Sequence, residues 1–202
     1  MSLWLAADPL VLASQSVVRR TLLTAVGVPL EVRAAELDER SLEAAAPSLP
    51  TSEIARILAR EKASLVARSL PGRLVLGADQ TLGCGVERFA KPSDRAAARA
   101  QLSVLRGRTH ELHAAIAFVQ DTTVLFEYVE TARLTMRAFT DSFLDRYLED
   151  AGAAATTSVG AYQLEGPGIQ LFEQIDGDYF TILGLPLMPA LAFLRRRGCL
   201  IA

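Results

Sequence analysis

Short, fully apolar runs alternate with segments of helical periodicity along this chain, and this alternation limits the fold more than any other feature. The runs at residues 10–13 and 74–76 predict buried strands, and the first leads into a helix capped by Ser16. Two longer runs, 110–119 and 122–136, meet at a short turn and predict adjacent strands. Interleaved strands and helices predict an α/β fold, and the adjacent long strands make the sheet mixed.

Turn and capping residues divide the rest of the chain into further elements. Asp176 and Gly177 predict a type I′ turn, and the alternation around them predicts a hairpin over residues 169–183. The acidic stretch at 36–40, "ELDER", is expected to be a loop. The remaining predicted elements are a strand at 30–35, helices at 51–70, 93–107, 140–152 and 186–198, and a return strand through Phe89.

Composition excludes several classes of protein. The 202 residues predict one domain, residues 1–202, because a chain of this length buries a sizeable core. A formal net charge of −2 argues against binding to DNA or RNA polymers, which usually requires a basic excess. Residues 1–14 lack the basic region of a signal peptide, and no apolar stretch is long enough to span a membrane. Two widely separated cysteines, Cys84 and Cys199, predict a reduced, cytoplasmic protein.

The apolar run at 74–76 is followed, after Gly77 and Ala78, by a carboxylate at the expected strand end, Asp79. Sites in α/β sheets lie beyond the carboxyl ends of strands, where a carboxylate can bind a divalent cation or deprotonate water. A glycine-containing turn at 83–85 predicts a hairpin that brings Lys91 back towards Asp79. Asp79 could equally be a turn residue that caps backbone groups, and Lys91 a surface lysine.

Two of the 21 basic residues are lysines, Lys62 and Lys91, and the others are arginines. The lysines are therefore candidates for positions that need a compact charge on a flexible stem. The apolar stripe of the predicted helix consists of Ile54, Ile57, Leu58 and Leu65. Glu61 falls near the centre of this stripe and Lys62 at its edge. A polar cleft beside the helix would explain this arrangement, and so would a partly exposed helix end with a snorkelling lysine.

Residues 13–20, "ASQSVVRR", combine a strand end, two serines and a helix start. A helix N-terminus binds phosphate through its free N–H groups, and Arg19 and Arg20 would add cations there. The segment lacks the glycine patterns of a P-loop or a dinucleotide fold. Ser16 could therefore be only a cap, with both arginines solvated.

Two other patterns are not expected to carry chemistry. The segment "HELH" is one residue short of a zinc-protease motif, and His110 and His113 would face opposite sides of a strand. The chain contains no Gly-x-Ser-x-Gly, so a serine hydrolase is not expected.

Several long segments occur in an order that is characteristic of one family. They are "LVLASQSVVRRTLL", "AREKAS", "LVLGADQTL", "FAKPSDRAAARAQLSVLRGRTHEL" and "SVGAYQLEGPG", followed by "DGDYFTILGLPL". Together they resemble the Maf family of cytoplasmic nucleoside triphosphate pyrophosphatases, also described as septum-formation inhibitors. The likeness extends through nearly the whole chain and includes both lysines.

This resemblance implies an elongated, twisted mixed sheet with two lobes and a central cleft. It implies hydrolysis of the α–β phosphoanhydride of a nucleoside triphosphate to a monophosphate and pyrophosphate, with magnesium or manganese. Asp79 would accept a proton and share the metal with Glu39. The residues expected to hold the triphosphate are Arg19, Lys62, Lys91 and Ser14. A homodimer is implied by the same analogy.

Departures from the family pattern concern the base. Gln80 and Glu165 resemble the subfamily that hydrolyses 7-methyl-GTP, and a carboxylate suits the N1–H and N2–H₂ donors of guanine. Val18 stands where that subfamily tends to carry a tryptophan able to stack on a cationic base, and Ala90 replaces a glycine. We expect a purine-type or modified nucleotide. The alternative function is a nucleotide-binding regulator of cell division that acts through protein contacts.

Overall fold

The computed structural model describes residues 3–201 and contains one seven-stranded sheet packed against helices. The strands are β1 (Leu10–Ala13), β2 (Leu30–Val32), β3 (Leu74–Cys84), β4 (Glu87–Phe89), β5 (Thr109–Gln120), β6 (Thr123–Met136) and β7 (Phe172–Asp176). The α-helices are α1 (Val17–Ala25), α2 (Glu39–Ala45), α3 (Thr51–Ala67), α4 (Arg95–Leu105), α5 (Asp141–Ala151), α6 (Tyr179–Ile182) and α7 (Leu187–Arg196). Short 3₁₀ turns span Gly152–Thr156, Val159–Ala161 and Pro167–Leu171. The predicted domain also included residues 1, 2 and 202, which lie outside the described residues.

The sheet is mixed, as predicted. Its strand order is β2-β1-β3-β5-β6-β7, with β4 paired to β3. The pairs that β1 makes with β2 and β3 are parallel, and the pairs from β3 through β5 and β6 to β7 are antiparallel. Helices connect the parallel strands because such strands need a crossover. The predicted α/β class is confirmed.

Strand β1 is buried on both faces of the sheet, which explains its uniformly apolar sequence. On one face Leu12 packs in a core with Leu23 of α1 and Leu191 of α7. On the other face Val11 packs in a core with Ala59 and other small residues of α3. The two helical layers therefore cover opposite sides of the same central strands.

Asp79 lies in the middle of β3, and the prediction that the strand ends there is wrong. Strand β5 continues to pair with β3 as far as Gly83, which extends the strand. On the other edge of β3, β1 pairs with it up to Gly77, and β4 pairs with it only from Leu82 onwards. The edge of residues 78–81 is therefore left without a strand partner in the described part of the chain. The topological switch point of the sheet, where ligands of α/β proteins usually bind, therefore lies beyond the end of β1 and not beyond the end of β3.

Two other local predictions are wrong. The predicted hairpin at 169–183 does not form, because β7 pairs with β6 and the Asp178 side chain caps a new helix, α6. The acidic stretch at 36–40 is not wholly a loop, since Asp38 accepts a hydrogen bond from the Ser41 N–H and starts α2. The hairpin of β3 and β4, by contrast, is confirmed.

Within residues 3–201, no helix combines the length and the apolar character needed to cross a bilayer.

Candidate active site

A cleft of about 810 Å³ opens over the unpaired edge of β3. Its walls come from the start of α1, from α2 and α3, from the β4 region and from residues 157–165 and 182–184. All nine predicted site residues line it, namely Ser14, Val18, Arg19, Glu39, Lys62, Asp79, Gln80, Lys91 and Glu165. The structure thus brings the predicted residues together, while their chemical roles stay predictions.

Lys62 and Asp79 form a buried ion pair at the base of the cleft. The Lys62 Nζ atom lies 2.5 Å from Asp79 Oδ1 and 2.7 Å from Glu39 Oε1. Lys62 is 8% exposed and Asp79 6%, so the pair is shielded from water, whereas the Glu39 side chain is about half exposed. Burial raises the pKa of Asp79, and the charges of Lys62 and Arg19 oppose that rise. One ammonium group therefore joins two carboxylates on different elements.

Lys62 lies on the buried face of α3, and its predicted place at the edge of the apolar stripe is wrong. That face consists of Ile54, Ala55, Leu58, Ala59, Lys62, Ala63, Val66 and Ala67. Glu61, predicted at the centre of the stripe, is partly exposed and lies 3.5 Å from Arg60. The prediction gave weight to large apolar residues, but α3 contacts the sheet mainly through alanines, which allow a close approach. This close approach places Lys62 against Asp79.

Arg19 connects the end of β1, β3 and the segment after α6. Its Nε donates to the Gly184 carbonyl at 2.8 Å, and its Nη1 donates to the Ala78 carbonyl at 2.9 Å and to Ser14 Oγ at 3.1 Å. Burial lowers the pKa of Arg19, and the negative charges of Asp79 and Glu39 partly oppose that decrease. The Ala78 carbonyl belongs to the unpaired edge of β3, so Arg19 satisfies an acceptor that no strand reaches.

We expect Arg19→Lys to destabilise the protein, because one ammonium cannot reproduce three divergent hydrogen bonds. The free energy of unfolding, measured by urea denaturation, should fall by about 1–3 kcal/mol as partly buried carbonyls lose their donor. Arg20→Lys is the matched control, since Arg20 is exposed on the next position of α1. Equal stability of the two variants would contradict this account of Arg19.

Gln80 lies on the face of β3 opposite Asp79, and its side-chain amide has a fixed orientation. Its Nε2 donates to the Thr181 carbonyl at 3.0 Å and to the Ile182 carbonyl at 2.9 Å. Both amide hydrogens are thereby used. The Oε1 atom remains available, so Gln80 offers a ligand only a hydrogen-bond acceptor.

The other predicted residues occupy the rim of the cleft. Lys91 follows β4 and is exposed, as is Glu165, and Val18 is half-buried on α1. The β3–β4 hairpin returns Lys91 to the cleft that contains Asp79, as the sequence predicted. The three predicted cations, Arg19, Lys62 and Lys91, therefore border one cavity although they are distant in sequence.

Sequence analysis missed Glu43 and Arg88, which also line the cleft. Burial, followed by the negative charge of Asp79, raises the pKa of Glu43. Arg88 Nη2 donates to the Pro47 carbonyl at 2.9 Å and connects β4 to the loop after α2. The only signal for Glu43 was its position one helical turn after Glu39, and this signal was hidden because α2 was predicted to be a loop.

The two histidines bind no common partner. His110 Nε2 lies 2.7 Å from the Tyr162 hydroxyl, and His113 Nδ1 lies 2.9 Å from Thr131 Oγ1. Burial lowers the pKa of His110 to about 4, so it is neutral near pH 7. These contacts agree with the rejection of a zinc-protease motif.

The donor set of the cleft fits a magnesium- or manganese-type ion better than zinc. Within residues 3–201 no group of three or more His, Cys, Asp or Glu side chains is arranged to hold a metal. Magnesium, however, is commonly held by one or two carboxylates together with substrate phosphates. Asp79 and Glu39 converge on one point, now held by the Lys62 ammonium, and could supply those carboxylates.

Buried and rim cations around two carboxylates, at the switch point of a mixed α/β sheet, form a site suited to an anionic ligand. The profile of the family described as Maf-like protein matches residues 9–197. The chain belongs to this family, and the resemblance found in the sequence is confirmed.

The chain is similar to named proteins over its whole length. It is 53% identical over 200 residues to "Nucleoside triphosphate pyrophosphatase" of Rhodopseudomonas palustris (strain BisB18), with 99% of each chain covered. It is 48% identical over 193 residues to "7-methyl-GTP pyrophosphatase" of Brucella abortus biovar 1, covering 95% of this chain and 97% of the relative. A solved structure from Mycobacterium abscessus, described as "Nucleoside-triphosphatase / dITP/XTP pyrophosphatase", matches with a TM-score of 0.43 at 18% identity, covering 95% of this chain and 96% of that one.

Proposed function

We propose that this protein, acting as one domain, is a nucleoside triphosphate pyrophosphatase that hydrolyses the α–β phosphoanhydride. The observation that carries the proposal is the buried Lys62 ammonium between Asp79 and Glu39, in a cleft that Lys91 and Arg19 also line. The names of relatives about 50% identical to the chain support the same activity.

Asp79 is the group that accepts a proton from the attacking water. The water oxygen bonds to the α-phosphorus, the bond from that phosphorus to the bridging oxygen breaks, and pyrophosphate leaves with the electron pair. Burial raises the pKa of Asp79 and so favours its acceptance of the proton. Lys62 and Lys91 neutralise charge on the phosphate oxygens, and β3 holds Asp79 in place for the attack.

A divalent cation is part of this proposal. Asp79 and Glu39 would hold it, and it would polarise a phosphoryl oxygen and lower the pKa of water when bound. The Lys62 ammonium contacts both carboxylates and would also neutralise charge on the phosphate oxygens of a bound nucleotide.

The base side of the cleft favours a guanine-type base. Gln80 presents an acceptor and no free donor, because its amide hydrogens are bound to two backbone carbonyls. Glu165, on the rim, is also an acceptor when ionised. Guanine and 7-methylguanine offer N1–H and N2–H₂ donors to such acceptors, whereas uracil has a single ring N–H. Val18 supplies apolar contact there but no aromatic stacking.

We expect Glu165→Gln to weaken the preference for such bases, because an amide can donate as well as accept. The ratio of kcat/KM for 7-methyl-GTP to that for UTP should fall about tenfold or more, the scale expected for one mismatched polar contact. Glu173→Gln, at an exposed position on β7, is the control and should leave the ratio unchanged. An unaltered ratio in Glu165→Gln would remove this residue from base recognition.

A nucleotide panel tests the proposed function directly. Pyrophosphate and nucleoside monophosphate should appear together from 7-methyl-GTP, GTP, dTTP or UTP with magnesium or manganese, and should disappear with EDTA. Nucleotide binding without pyrophosphate release would favour the regulator of cell division instead. Release of inorganic phosphate alone would exclude attack at the α-phosphorus.

Three further properties stay predictions from the composition and the family resemblance. They are a cytoplasmic location, a homodimeric assembly and the lack of a DNA or RNA polymer as partner. Size-exclusion chromatography with light scattering would measure the assembly state.

A further inference from the structure

Gln101 is a buried polar residue on α4, outside the cluster of charges already described. It is 8% exposed, and its Nε2 donates to the Ala90 carbonyl at 3.3 Å. Its Oε1 is buried and has no hydrogen-bond partner in the described part of the chain. An unsatisfied buried acceptor is unfavourable for folding. Packing alone would favour an apolar side chain at this position.

The contact made by Gln101 lies immediately before Lys91. Strand β4 ends at Phe89, α4 begins at Arg95, and Asp94 caps that helix. The residue after Lys91, Pro92, is buried. The Lys91 backbone is thus held by Gln101 on one side and by a buried proline on the other, while its side chain is exposed at the cleft.

We propose that Gln101 is a positioning residue that fixes the Ala90 carbonyl and thereby directs Lys91 towards the phosphates. The proposal rests on the proposed pyrophosphatase function, in which Lys91 contacts the triphosphate. A lysine stem is flexible, so the direction of its ammonium depends on how firmly its own backbone is held. Gln101 restrains this backbone through its hydrogen bond to the Ala90 carbonyl, while its unsatisfied Oε1 lowers the stability of the fold.

Gln101→Met separates positioning from packing, because methionine has a similar length and no hydrogen-bonding amide. The melting temperature should stay equal or rise, since the unsatisfied Oε1 is removed and the one hydrogen bond that is lost is long, at 3.3 Å. The value of kcat/KM should nevertheless fall about tenfold or more, as expected for a misplaced catalytic group. Ser103→Ala, on the same helix, is the control and should change neither quantity. A fall in both quantities for Gln101→Met would overturn the proposal in favour of a structural role.

A double-mutant cycle with Lys91→Met tests whether Gln101 acts through Lys91. In the Lys91→Met background, Gln101→Met should cause no further loss, because the group that it positions is gone. Equal losses in both backgrounds would overturn the proposal. If the unmodified chain releases pyrophosphate and Lys91→Met is equally active, the role proposed for Gln101 is overturned and the proposed function is not. An unmodified chain that releases none would overturn the proposed function as well.

The two lysines also allow a measurement that needs no turnover. Selective ¹³C-lysine labelling gives one set of ε-methylene signals for Lys62 and one for Lys91, and Lys91→Met assigns them. In Gln101→Met the Lys91 signals should sharpen and move towards those of free lysine, while the Lys62 signals stay in place. Unchanged Lys91 signals would overturn the proposal whether or not any nucleotide is hydrolysed.

Discussion

Asp79→Asn should leave the protein folded and lower kcat for pyrophosphate release by about 10²–10⁴, the range expected on removal of a general base. Asparagine has nearly the same shape, but it can neither accept the proton nor serve as an anionic metal ligand. The fold should survive because Lys62, whose Nζ lies 2.7 Å from Glu39 Oε1, keeps that partner and can still donate to the asparagine oxygen. The loss in free energy of unfolding should therefore stay below about 3 kcal/mol, the lower end for an uncompensated buried charge.

The matched control for Asp79→Asn is Asp145→Asn, which removes a carboxylate of the same size on α5. Asp145 is exposed and pairs with Arg99 at 2.9 Å, so its loss should change stability and turnover little. Circular dichroism and urea denaturation establish that both variants fold, and pyrophosphate release gives kcat. Turnover by Asp79→Asn close to that of the unmodified protein would remove Asp79 from the mechanism.

The regular elements were predictable because their hydrophobic patterns are strong and local. The apolar runs at 10–13 and 74–76 lie in the central strands β1 and β3, and the two long runs predicted at 110–119 and 122–136 form the neighbouring strands β5 and β6. The scarcity of lysine drew attention to Lys62 and Lys91, and both line the cleft. These predictions required only local sequence patterns and the amino-acid composition.

The remaining errors concern properties that depend on contacts distant in sequence. Asp79 lies within a strand because β5 continues to pair with β3 beyond this position. The residue paired with Asp79 is Ala115, which is thirty-six residues later in the sequence. The alternation at 172–176 was a true strand signal, but its partner is β6 rather than its sequence neighbour. Segment 36–40 offers no apolar period, and its one local helix signal is Asp38, a residue type that often caps a helix N-terminus.

The burial of Lys62 illustrates why the site itself needed three-dimensional information. Helical periodicity indicated which large apolar residues share a face, but the face of α3 that meets the sheet is formed mainly by alanines. Alanine contributes little to an amphipathic pattern, but its small side chain allows a helix to pack close to a sheet. The complementary small residue on the sheet is Gly77, which packs under Ala59 and Ala63.

Gly77→Ala should be the most destabilising single-methyl change at this interface. A Cβ at Gly77 would lie 2.1 Å from the Ala59 carbonyl oxygen and 2.7 Å from the Ala63 backbone N, so α3 must move away from β3. We expect a loss of about 3 kcal/mol or more in the free energy of unfolding, the upper end for overpacking. Because α3 carries Lys62, kcat should also fall in the folded fraction. Gly83→Ala is the control, since its Cβ would meet only the Thr51 side chain at 3.1 Å or beyond, and equal stability losses would contradict this account.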